Sequence, residues 1–243
     1  MARRLRLITF DLDDTLWDLR PTLLRAEAEL HAWMQANCPE LPARFDRDAL
    51  VALRMELIGE RPELKHRISD LRRESMRLAL LRCGREAAEA SRLAEAAFEV
   101  FIAARHGVEP FAGVEACLEE LGRDYQLGVI TNGNADIFRL GLGRHFRFAI
   151  SAESIGTSKP DPLPFAAALA AAGVDAAESL HIGDHPEHDI AGARSAGMRS
   201  AWYNPRGTTW PGGSPADAEF RLFGELPGVV RALGSRARDP LTG

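Results

Sequence analysis

Four short apolar runs in this sequence are followed, directly or a few residues later, by polar residues that could do chemistry. The first run, Leu7–Phe10, stops at an acidic cluster, and the second, Leu127–Ile130, stops at a hydroxyl. The polar residues that follow the four runs are Asp11, Asp13, Thr131, Lys159 and Asp184. Carboxylates are the hard oxygen ligands that suit Mg²⁺, and a lysine and a hydroxyl can bind phosphate oxygens. These residue types indicate chemistry on a phosphate ester.

The reaction that these groups allow is attack on a phosphate monoester. The nucleophile approaches a group that is already anionic, so the protein must supply cations and fixed dipoles to hold the phosphoryl oxygens. A carboxylate such as Asp11 can be the nucleophile, and the resulting aspartyl-phosphate divides one hard step into two easier ones. The departing alkoxide needs a proton, which Asp13 is placed to supply.

The elements that must position these residues alternate between strand and helix after about residue 107. This alternation is typical of an α/β fold with a doubly wound parallel sheet. The predicted strands are Leu7–Phe10, Leu127–Thr131, Phe146–Ile150, Ser179–Ile182 and Ser200–Tyr203, and the predicted helices are Val114–Leu121, Pro164–Ala172 and Ala191–Ala196. Ligands of open parallel sheets bind beyond the carboxyl ends of the strands. The polar residues are therefore expected to converge at one edge of the sheet.

Residues 18–106 contain no comparable strand pattern and instead show helical periodicity. Their apolar residues recur three or four positions apart, so each of four segments has one stripe to bury. The stripes are Leu23, Ala26, Leu30 and Met34; Leu50, Leu53 and Leu57; Leu64, Ile68, Leu71, Ser75 and Leu78; and Leu93, Ala97, Val100 and Ala104. We predict a core of residues 1–17 and 107–235, an inserted helical domain of residues 18–106, and a C-terminal tail of residues 236–243.

Composition excludes some classes of partner. The 243 residues carry a formal net charge of -5, without the basic excess that nucleic-acid binding needs. No run is long and apolar enough to be a membrane span. Cys38, Cys83 and Cys117 are scattered and without CxxC pairing, which is typical of reduced thiols in a cytoplasmic protein. The expected partner is a small phosphorylated metabolite, and the expected oligomeric state is a monomer or a homodimer.

Four ordered motifs resemble those of haloacid-dehalogenase-superfamily phosphatases. Asp11-Leu12-Asp13-Asp14-Thr15 resembles the first motif, DxDx[TV], and Thr131-Asn132-Gly133 resembles the second. Ser158-Lys159-Pro160 resembles the third, and Gly183-Asp184 with Asp189 resembles the acidic fourth, GDxxxxD. The resemblance implies a Rossmann-like core with an inserted helical cap, as in the first subfamily, where the cap closes over the site and selects substrates.

The resemblance also implies a role for each motif residue. Asp11 would be the nucleophile and Asp13 the acid and base. Phosphate would be bound by Thr131, Asn132 and Lys159. Mg²⁺ would be bound by the Asp11 and Asp184 carboxylates and by the main-chain carbonyl of Asp13. Asp189 would anchor a metal-bound water or Lys159, although His188 before it departs from the small polar residue of many relatives.

Two features bear on the substrate. True haloacid dehalogenases generally carry an aromatic residue at the position of Asp13, since a halide leaves without a proton, so the aspartate favours phosphate chemistry. The segments Thr9–Asp18 and Ile130–Ala135 resemble bacterial flavin mononucleotide phosphatases, which also hydrolyse the ribitylaminouracil phosphate of riboflavin synthesis. Alternatives are a phosphatase for nucleotides or sugar phosphates, a sugar-phosphate mutase, a 2-haloacid dehalogenase, or a catalytically silent binding protein. Trp17 either packs beneath the cap or borders the substrate.

Overall fold

A computed structural model describes residues 4–235, so the predicted tail of residues 236–243 lies outside the described residues. The described chain divides into two compact units. The sheet unit comprises residues 4–18, 109–133 and 137–235, and the helical unit comprises residues 19–108 and 134–136.

The sheet unit is built on six parallel strands in the order β3-β2-β1-β4-β5-β6. Their bounds are β1 Leu7–Phe10, β2 Gln126–Thr131, β3 Phe148–Ser151, β4 Ser179–Gly183, β5 Arg199–Tyr203 and β6 Ala218–Phe220. This is a Rossmann-like strand order, and it confirms the predicted doubly wound sheet. The edge strand β6 was not predicted, because a three-residue strand is too short to show an apolar run. Strand β3 also begins later than predicted, because Phe146 donates to the carbonyl of Gly143 in a preceding turn.

Strand β1 lies at the centre of the sheet, and all four of its residues are buried. A strand of a parallel sheet that is covered on both faces reads as a continuous apolar run, as Leu7–Phe10 does. Phe10, the last residue of β1, pairs with Val129 of β2 and Ile182 of β4, so the three strands end within two residues of one another. The residues that follow them are therefore brought together, as the sequence predicts.

The helical unit contains no strand in any of its residues, all of which are described. Its helices are α1 Leu19–Asn37, α2 Glu40–Arg44, α3 Arg47–Glu60, α4 Ile68–Arg82 and α5 Ala87–Arg105. Most of the predicted stripe residues are buried, including Leu30, Leu53 and Ala97. The third stripe is not one helix, because Pro62–His66 form a 3₁₀ turn and α4 begins only at Ile68. A 3₁₀ turn repeats every three residues, so the apolar spacing continues across the break.

Residues 134–136 belong to the helical unit, although they follow the second motif directly. The side-chain amide of Asn134 donates to the Ser69 hydroxyl over 3.2 Å. The main-chain N–H of Asp136 donates to Nε2 of His106 over 2.9 Å. These contacts tie a segment that the sequence analysis assigned to the core to α4 and to the end of α5.

The remaining helices belong to the sheet unit: α6 Val114–Gly122, α7 Ala152–Ile155, α8 Pro162–Ala172, α9 Gly192–Ser195 and α10 Leu226–Ser235. Helix α8 shows why these segments are helical. Asp161 accepts from the N–H of Leu163 at its start, and Gly173 ends it in the left-handed conformation. The helix predicted over Ala191–Ala196 is confirmed as α9, and a π-type turn over Pro186–Ala191, which was not predicted, precedes it. No helix within residues 4–235 has the length and apolar character needed to cross a membrane.

Candidate active site

The Lys159 ammonium lies at the centre of a buried charge cluster beyond the end of β1. Its Nζ atom is 2.6 Å from Oδ1 of Asp11 and 2.6 Å from Oδ1 of Asp189. Nζ also donates to the Ile130 carbonyl at the end of β2, over 2.8 Å. The Lys159 side chain is 2% exposed, so these three acceptors replace water around the charge. Lys159 is thereby fixed beside the predicted nucleophile.

The charges of this cluster set the pKa values of its members. Burial raises the pKa of Asp11 well above its ordinary value, and the charges of Asp189 and Asp184 act in the same direction, against that of Lys159. Burial alone would lower the pKa of Lys159, but the two carboxylates beside it raise the value. For Asp189, the charge of Lys159 and the hydrogen bond from His181 outweigh burial and hold its pKa well below the ordinary value. Asp189 is therefore the ionised partner of Lys159.

The carboxylates of Asp11, Asp184 and Asp189 each place one oxygen within 4.8 Å of the others. The Thr15 hydroxyl lies 3.2 Å from Oδ1 of Asp184 and 3.4 Å from Oδ2 of Asp11. Burial and then the charges of Asp189 and Asp14 raise the pKa of Asp184 to about 7. A partly desolvated group of carboxylate oxygens with excess negative charge is the donor set that a hard divalent cation prefers. The residues present fit Mg²⁺.

Asp189 is held from several sides, even though it follows His188. Its Oδ1 atom lies 3.1 Å from Nε2 of His181, and its Oδ2 atom accepts from the main-chain N–H of His185 over 3.0 Å. The Thr9 hydroxyl lies 2.9 Å from Nδ1 of His181. The departure from the family pattern at His188 leaves Asp189 buried and in contact with Lys159.

His181 supports Asp189 as a neutral ring. Burial lowers the pKa of His181, although the hydrogen bond and charge of Asp189 act against this. An ionised carboxylate only accepts, so Nε2 carries the ring hydrogen and Nδ1 accepts from the Thr9 hydroxyl. The sequence analysis placed His181 within a strand and did not assign it a role. Its only available signal was its position three residues before Asp184.

The second motif supplies a hydroxyl and a backbone clamp. The Thr131 hydroxyl accepts from the N–H of Gly133 over 3.0 Å, which leaves its own hydrogen to donate. The Asn132 amide donates to the Lys159 carbonyl over 3.0 Å and accepts from the Lys159 N–H over 2.8 Å. Asn132 thus holds the main chain of Lys159. Phosphate binding by Thr131 and Asn132 stays a prediction.

Two tryptophans contact predicted site residues. The Trp17 indole N–H donates to Oδ1 of Asp13 over 2.9 Å, and Trp17 is fully buried. The Trp202 indole N–H donates to the main-chain carbonyl of Asp184 over 2.7 Å. The sequence left the place of Trp17 open, and it did not identify Trp202. In the sheet, Trp202 pairs with Gly183, a register that the sequence could not reveal.

The family profile of haloacid dehalogenase-like hydrolases matches residues 5–197. The chain belongs to this family. The match includes all seven predicted site residues, from Asp11 to Asp189. It also confirms the resemblance drawn from the four motifs. The resemblance implied a Rossmann-like core, and the structure contains it as the six-stranded parallel sheet.

Similar proteins in this family include phosphatases. The ribitylaminouracil phosphatase YigB of Escherichia coli, 5-amino-6-(5-phospho-D-ribitylamino)uracil phosphatase, is 36% identical over 83% of this chain and 84% of its own length. A phosphoserine phosphatase of Thermus thermophilus is 37% identical over 48% of this chain and 49% of its own. These relatives confirm the predicted enzyme class, a phosphatase-type hydrolase.

A solved structure is also closely similar. The crystal structure of a 2-haloacid dehalogenase from Pseudomonas syringae pv. Tomato DC3000 superposes with a TM-score of 0.92. It is 48% identical to this chain and is matched over 94% of this chain and 99% of its own. Its described activity differs from that of the phosphatase relatives, so similarity alone does not distinguish between the two reactions.

Proposed function

We propose that this chain is a Mg²⁺-dependent phosphatase that hydrolyses a small-molecule phosphate monoester through an aspartyl-phosphate on Asp11. The observation that carries this proposal is the contact of 2.6 Å between the Lys159 ammonium and the Asp11 carboxylate at the carboxyl end of the central strand. A nucleophile with a cation beside it can approach an anionic phosphoryl group, because the cation offsets the repulsion between them.

The other residues fit the needs of this reaction. Asp11 and Asp184 would bind Mg²⁺ with the main-chain carbonyl of Asp13, and the ion when bound would neutralise charge on the phosphoryl oxygens. Lys159 and the Thr131 hydroxyl would bind the same phosphoryl group. Asp189 would keep the Lys159 ammonium in place, because the two are ion-paired in a buried setting.

Asp13 would act twice. In the first step an Asp11 oxygen bonds to phosphorus, the ester P–O bond breaks, and the leaving oxygen takes its proton from Asp13. In the second step water attacks phosphorus, Asp13 takes a proton from that water, and the bond to Asp11 breaks with its electron pair returning to the carboxylate. The products are an alcohol and inorganic phosphate, and both aspartates regain their starting states.

The proposed substrates are flavin mononucleotide and the ribitylaminouracil phosphate of riboflavin synthesis. The similarity to YigB over most of both chains supports this choice, together with the resemblance of the segments around Asp11 and Thr131 to flavin mononucleotide phosphatases. Nucleotides and sugar phosphates are the alternative substrates. A cytoplasmic location and a monomeric or homodimeric state stay predictions of the sequence.

The test is phosphate release from a panel of monoesters with Mg²⁺, comparing the wild-type enzyme with Asp11→Asn. The panel contains the two flavin-pathway phosphates, nucleoside monophosphates, sugar phosphates and phosphoglycolate. Asp11→Asn should lower kcat at least about 10³-fold, because an amide is a poor nucleophile. Asp161→Asn is the matched control, since asparagine caps a helix as well as aspartate does. Full activity of Asp11→Asn would exclude the covalent route.

A second candidate is hydrolytic dehalogenation, which the similarity to the Pseudomonas syringae structure favours. An Asp11 carboxylate could also displace halide from a 2-haloacid, but that reaction gives Asp13 no leaving group to protonate. Chloride release from 2-chloropropionate, measured beside the phosphate panel, separates the two reactions. Chloride release without phosphate release would replace the proposed function with dehalogenation, while leaving Asp11 as the nucleophile.

A further inference from the structure

Trp17 contacts the predicted acid of the reaction from inside the sheet unit. Its indole Nε1–H donates to Oδ1 of Asp13 over 2.9 Å, and the Trp17 side chain is fully buried whereas Asp13 is half-buried. An indole nitrogen only donates, so Oδ1 is fixed as an acceptor. The contact distinguishes the two oxygens of Asp13.

The main chain holds the indole in this place. Asp14 has a φ of +61°, a conformation that aspartate tolerates in turns, and its N–H donates to the Trp17 carbonyl over 2.8 Å. Trp17 also forms isolated bridges with Asp13 on one side and Pro110 on the other. The turn therefore returns the indole of Trp17 to the carboxyl group that precedes it by four residues.

Gly133 stands beside the other oxygen of Asp13. A Cβ atom at residue 133 would lie 2.4 Å from Oδ2 of Asp13. The two atoms would overlap at that distance, so a side chain at residue 133 would force the Asp13 carboxyl group to move. Trp17 at Oδ1 and the Gly133 main chain near Oδ2 together limit how the Asp13 carboxyl group can rotate. Trp17 and Gly133, which the proposed reaction does not otherwise use, therefore both constrain the orientation of Asp13.

We propose that Trp17 is a positioning residue, which directs Oδ2 of Asp13 to transfer the proton to the leaving group. This inference rests on the proposed function, because it requires Asp13 to be the acid. In the first step the P–O bond to the leaving group breaks, its electron pair stays on the leaving oxygen, and the proton on Oδ2 moves to that oxygen. Oδ1 keeps the indole hydrogen bond throughout, so the carboxyl group need not turn between the two steps.

The test is the dependence of kcat/KM, which reports the steps up to departure of the leaving group, on the leaving group in Trp17→Phe. Phenylalanine keeps an aromatic ring in the buried position but cannot donate to Asp13. An alkyl phosphate needs the proton, whereas p-nitrophenyl phosphate releases an anion that is stable without it. We expect kcat/KM to fall about 10- to 100-fold for the alkyl phosphate and less than about threefold for p-nitrophenyl phosphate, because the second step, in which Asp13 is the base for either substrate, does not enter kcat/KM. Trp33→Phe in α1 is the control and should leave both rates unchanged.

The comparison with Asp13→Ala separates failure of this inference from failure of the proposed function. If Asp13→Ala loses activity selectively on the alkyl phosphate but Trp17→Phe loses both activities equally, or neither, Trp17 does not position the acid. If the kcat/KM of Asp13→Ala falls equally for the two leaving groups, or does not fall, Asp13 is not the acid and the proposed function is wrong in that role. Selective loss in both variants supports both statements.

A spectroscopic measurement covers the case in which Trp17→Phe does not fold. The chain has four tryptophans, and Phe variants of Trp33, Trp202 and Trp210 assign the remaining indole N–H resonance to Trp17. In Asp13→Ala that resonance should move upfield, because the indole loses its hydrogen-bond acceptor. An unchanged Trp17 resonance in folded Asp13→Ala would show that the contact is not formed in solution, and would overturn the inference.

Discussion

A line of hydrogen bonds joins the buried interior of the sheet to the predicted nucleophile. It starts at the Thr9 hydroxyl and passes through the His181 ring, the Asp189 carboxylate and the Lys159 ammonium to Asp11. Thr9 and His181 are partners in the register of β1 with β4, so the sheet itself brings them together. A buried polar network stabilises the fold only when every member has a partner. Loss of one residue at its far end should therefore weaken the structure.

Thr9→Val tests this network at the residue scale. Valine keeps the size of threonine but removes the hydroxyl, which leaves Nδ1 of His181 buried without its donor. We expect the free energy of unfolding to fall by about 1–3 kcal/mol, the usual cost of an unsatisfied buried polar group. Urea-induced unfolding, followed by circular dichroism, measures the change.

The control is the same substitution in a His181→Phe background. Phenylalanine has no ring nitrogen, so the valine should then cost little, and a double-mutant cycle should give a coupling energy of about 1 kcal/mol or more. An equal cost of Thr9→Val in both backgrounds would mean that the hydroxyl does not act through His181.

The residues of the site were accessible to sequence reasoning, but most of their contacts were not. Asp11, Lys159 and Asp184 could be predicted because each belongs to a motif, and Asp11 and Asp184 also follow a recognisable strand end. The contact of Thr9 with His181 depends on which strands are neighbours and in what register, and neither is encoded locally. The bond from Trp17 to Asp13 depends on a turn with positive φ at Asp14, which no apolar pattern signals.

At the scale of elements, α4 and α5 are joined by two stacked arginines of the helical unit. The Arg72 guanidinium carbon lies 3.7 Å from the centre of the Phe101 ring, and that of Arg73 lies 3.7 Å from the Phe98 ring. Arg72 also pairs with Glu27 over 2.8 Å, which connects α4 to α1. Arg73 pairs instead with Glu95, whose side chain is 54% exposed. Both arginines stack on a phenylalanine ring and form an ion pair, but the ion pair of Arg72 is less exposed to solvent than that of Arg73.

This difference predicts unequal costs for Arg72→Met and Arg73→Met. Methionine keeps an apolar stem but removes the planar charge, so both the stacking and the ion pair are lost. We expect Arg72→Met to reduce local stability by about 1–3 kcal/mol, because its charge is largely desolvated, and Arg73→Met by less than about 1 kcal/mol. Amide hydrogen exchange of peptides from α4 and α5 measures both changes. Equal costs would contradict the role of burial.

Most helices and strands could be predicted from the sequence, but the breaks between helices could not. The stripe from Leu64 to Leu78 predicted one helix, yet Arg67 has a φ of -119° and separates a 3₁₀ turn from α4. Apolar spacing reports which side of a segment is buried, and both helix types satisfy it. Residues 134–136 were assigned to the core by their position in the chain, because their hydrogen bonds to Ser69 and His106 are tertiary contacts.

At the scale of the whole molecule, the sheet collects negative charge at one edge of a chain that is itself acidic. The carboxylates of Asp11, Asp184 and Asp189 follow β1 and β4, and the ammonium of Lys159 balances part of their charge. Raised pKa values for Asp11 and Asp184 mean that ionising these groups within the fold costs free energy. A bound divalent cation would remove that cost, so its binding energy should stabilise the folded chain.

The stabilisation of the folded chain by Mg²⁺ should therefore depend on pH. The folded-state pKa of Asp184 is raised to about 7 from an unfolded value of about 3.9, so its ionisation lowers stability as pH rises from about 4 to about 7, and the loss is complete above pH 7. Below pH 7, Mg²⁺ must displace a proton from Asp184 in order to bind. Above pH 7, the Asp184 carboxylate is already ionised. At 100 times its dissociation constant at pH 8, Mg²⁺ should add about 2.7 kcal/mol and raise Tm by about 5–10 °C.

At pH 6 and the same Mg²⁺ concentration, the rise in Tm should be smaller, because protons compete for Asp184. Differential scanning calorimetry with Mg²⁺ or with a chelator measures both values. Asp184→Asn should abolish most of the rise at pH 8, whereas Asp161→Asn should keep it, since that aspartate caps α8 and lies outside the carboxylate cluster. A rise that is equal at the two pH values, or that survives in Asp184→Asn, would place the cation elsewhere on the protein.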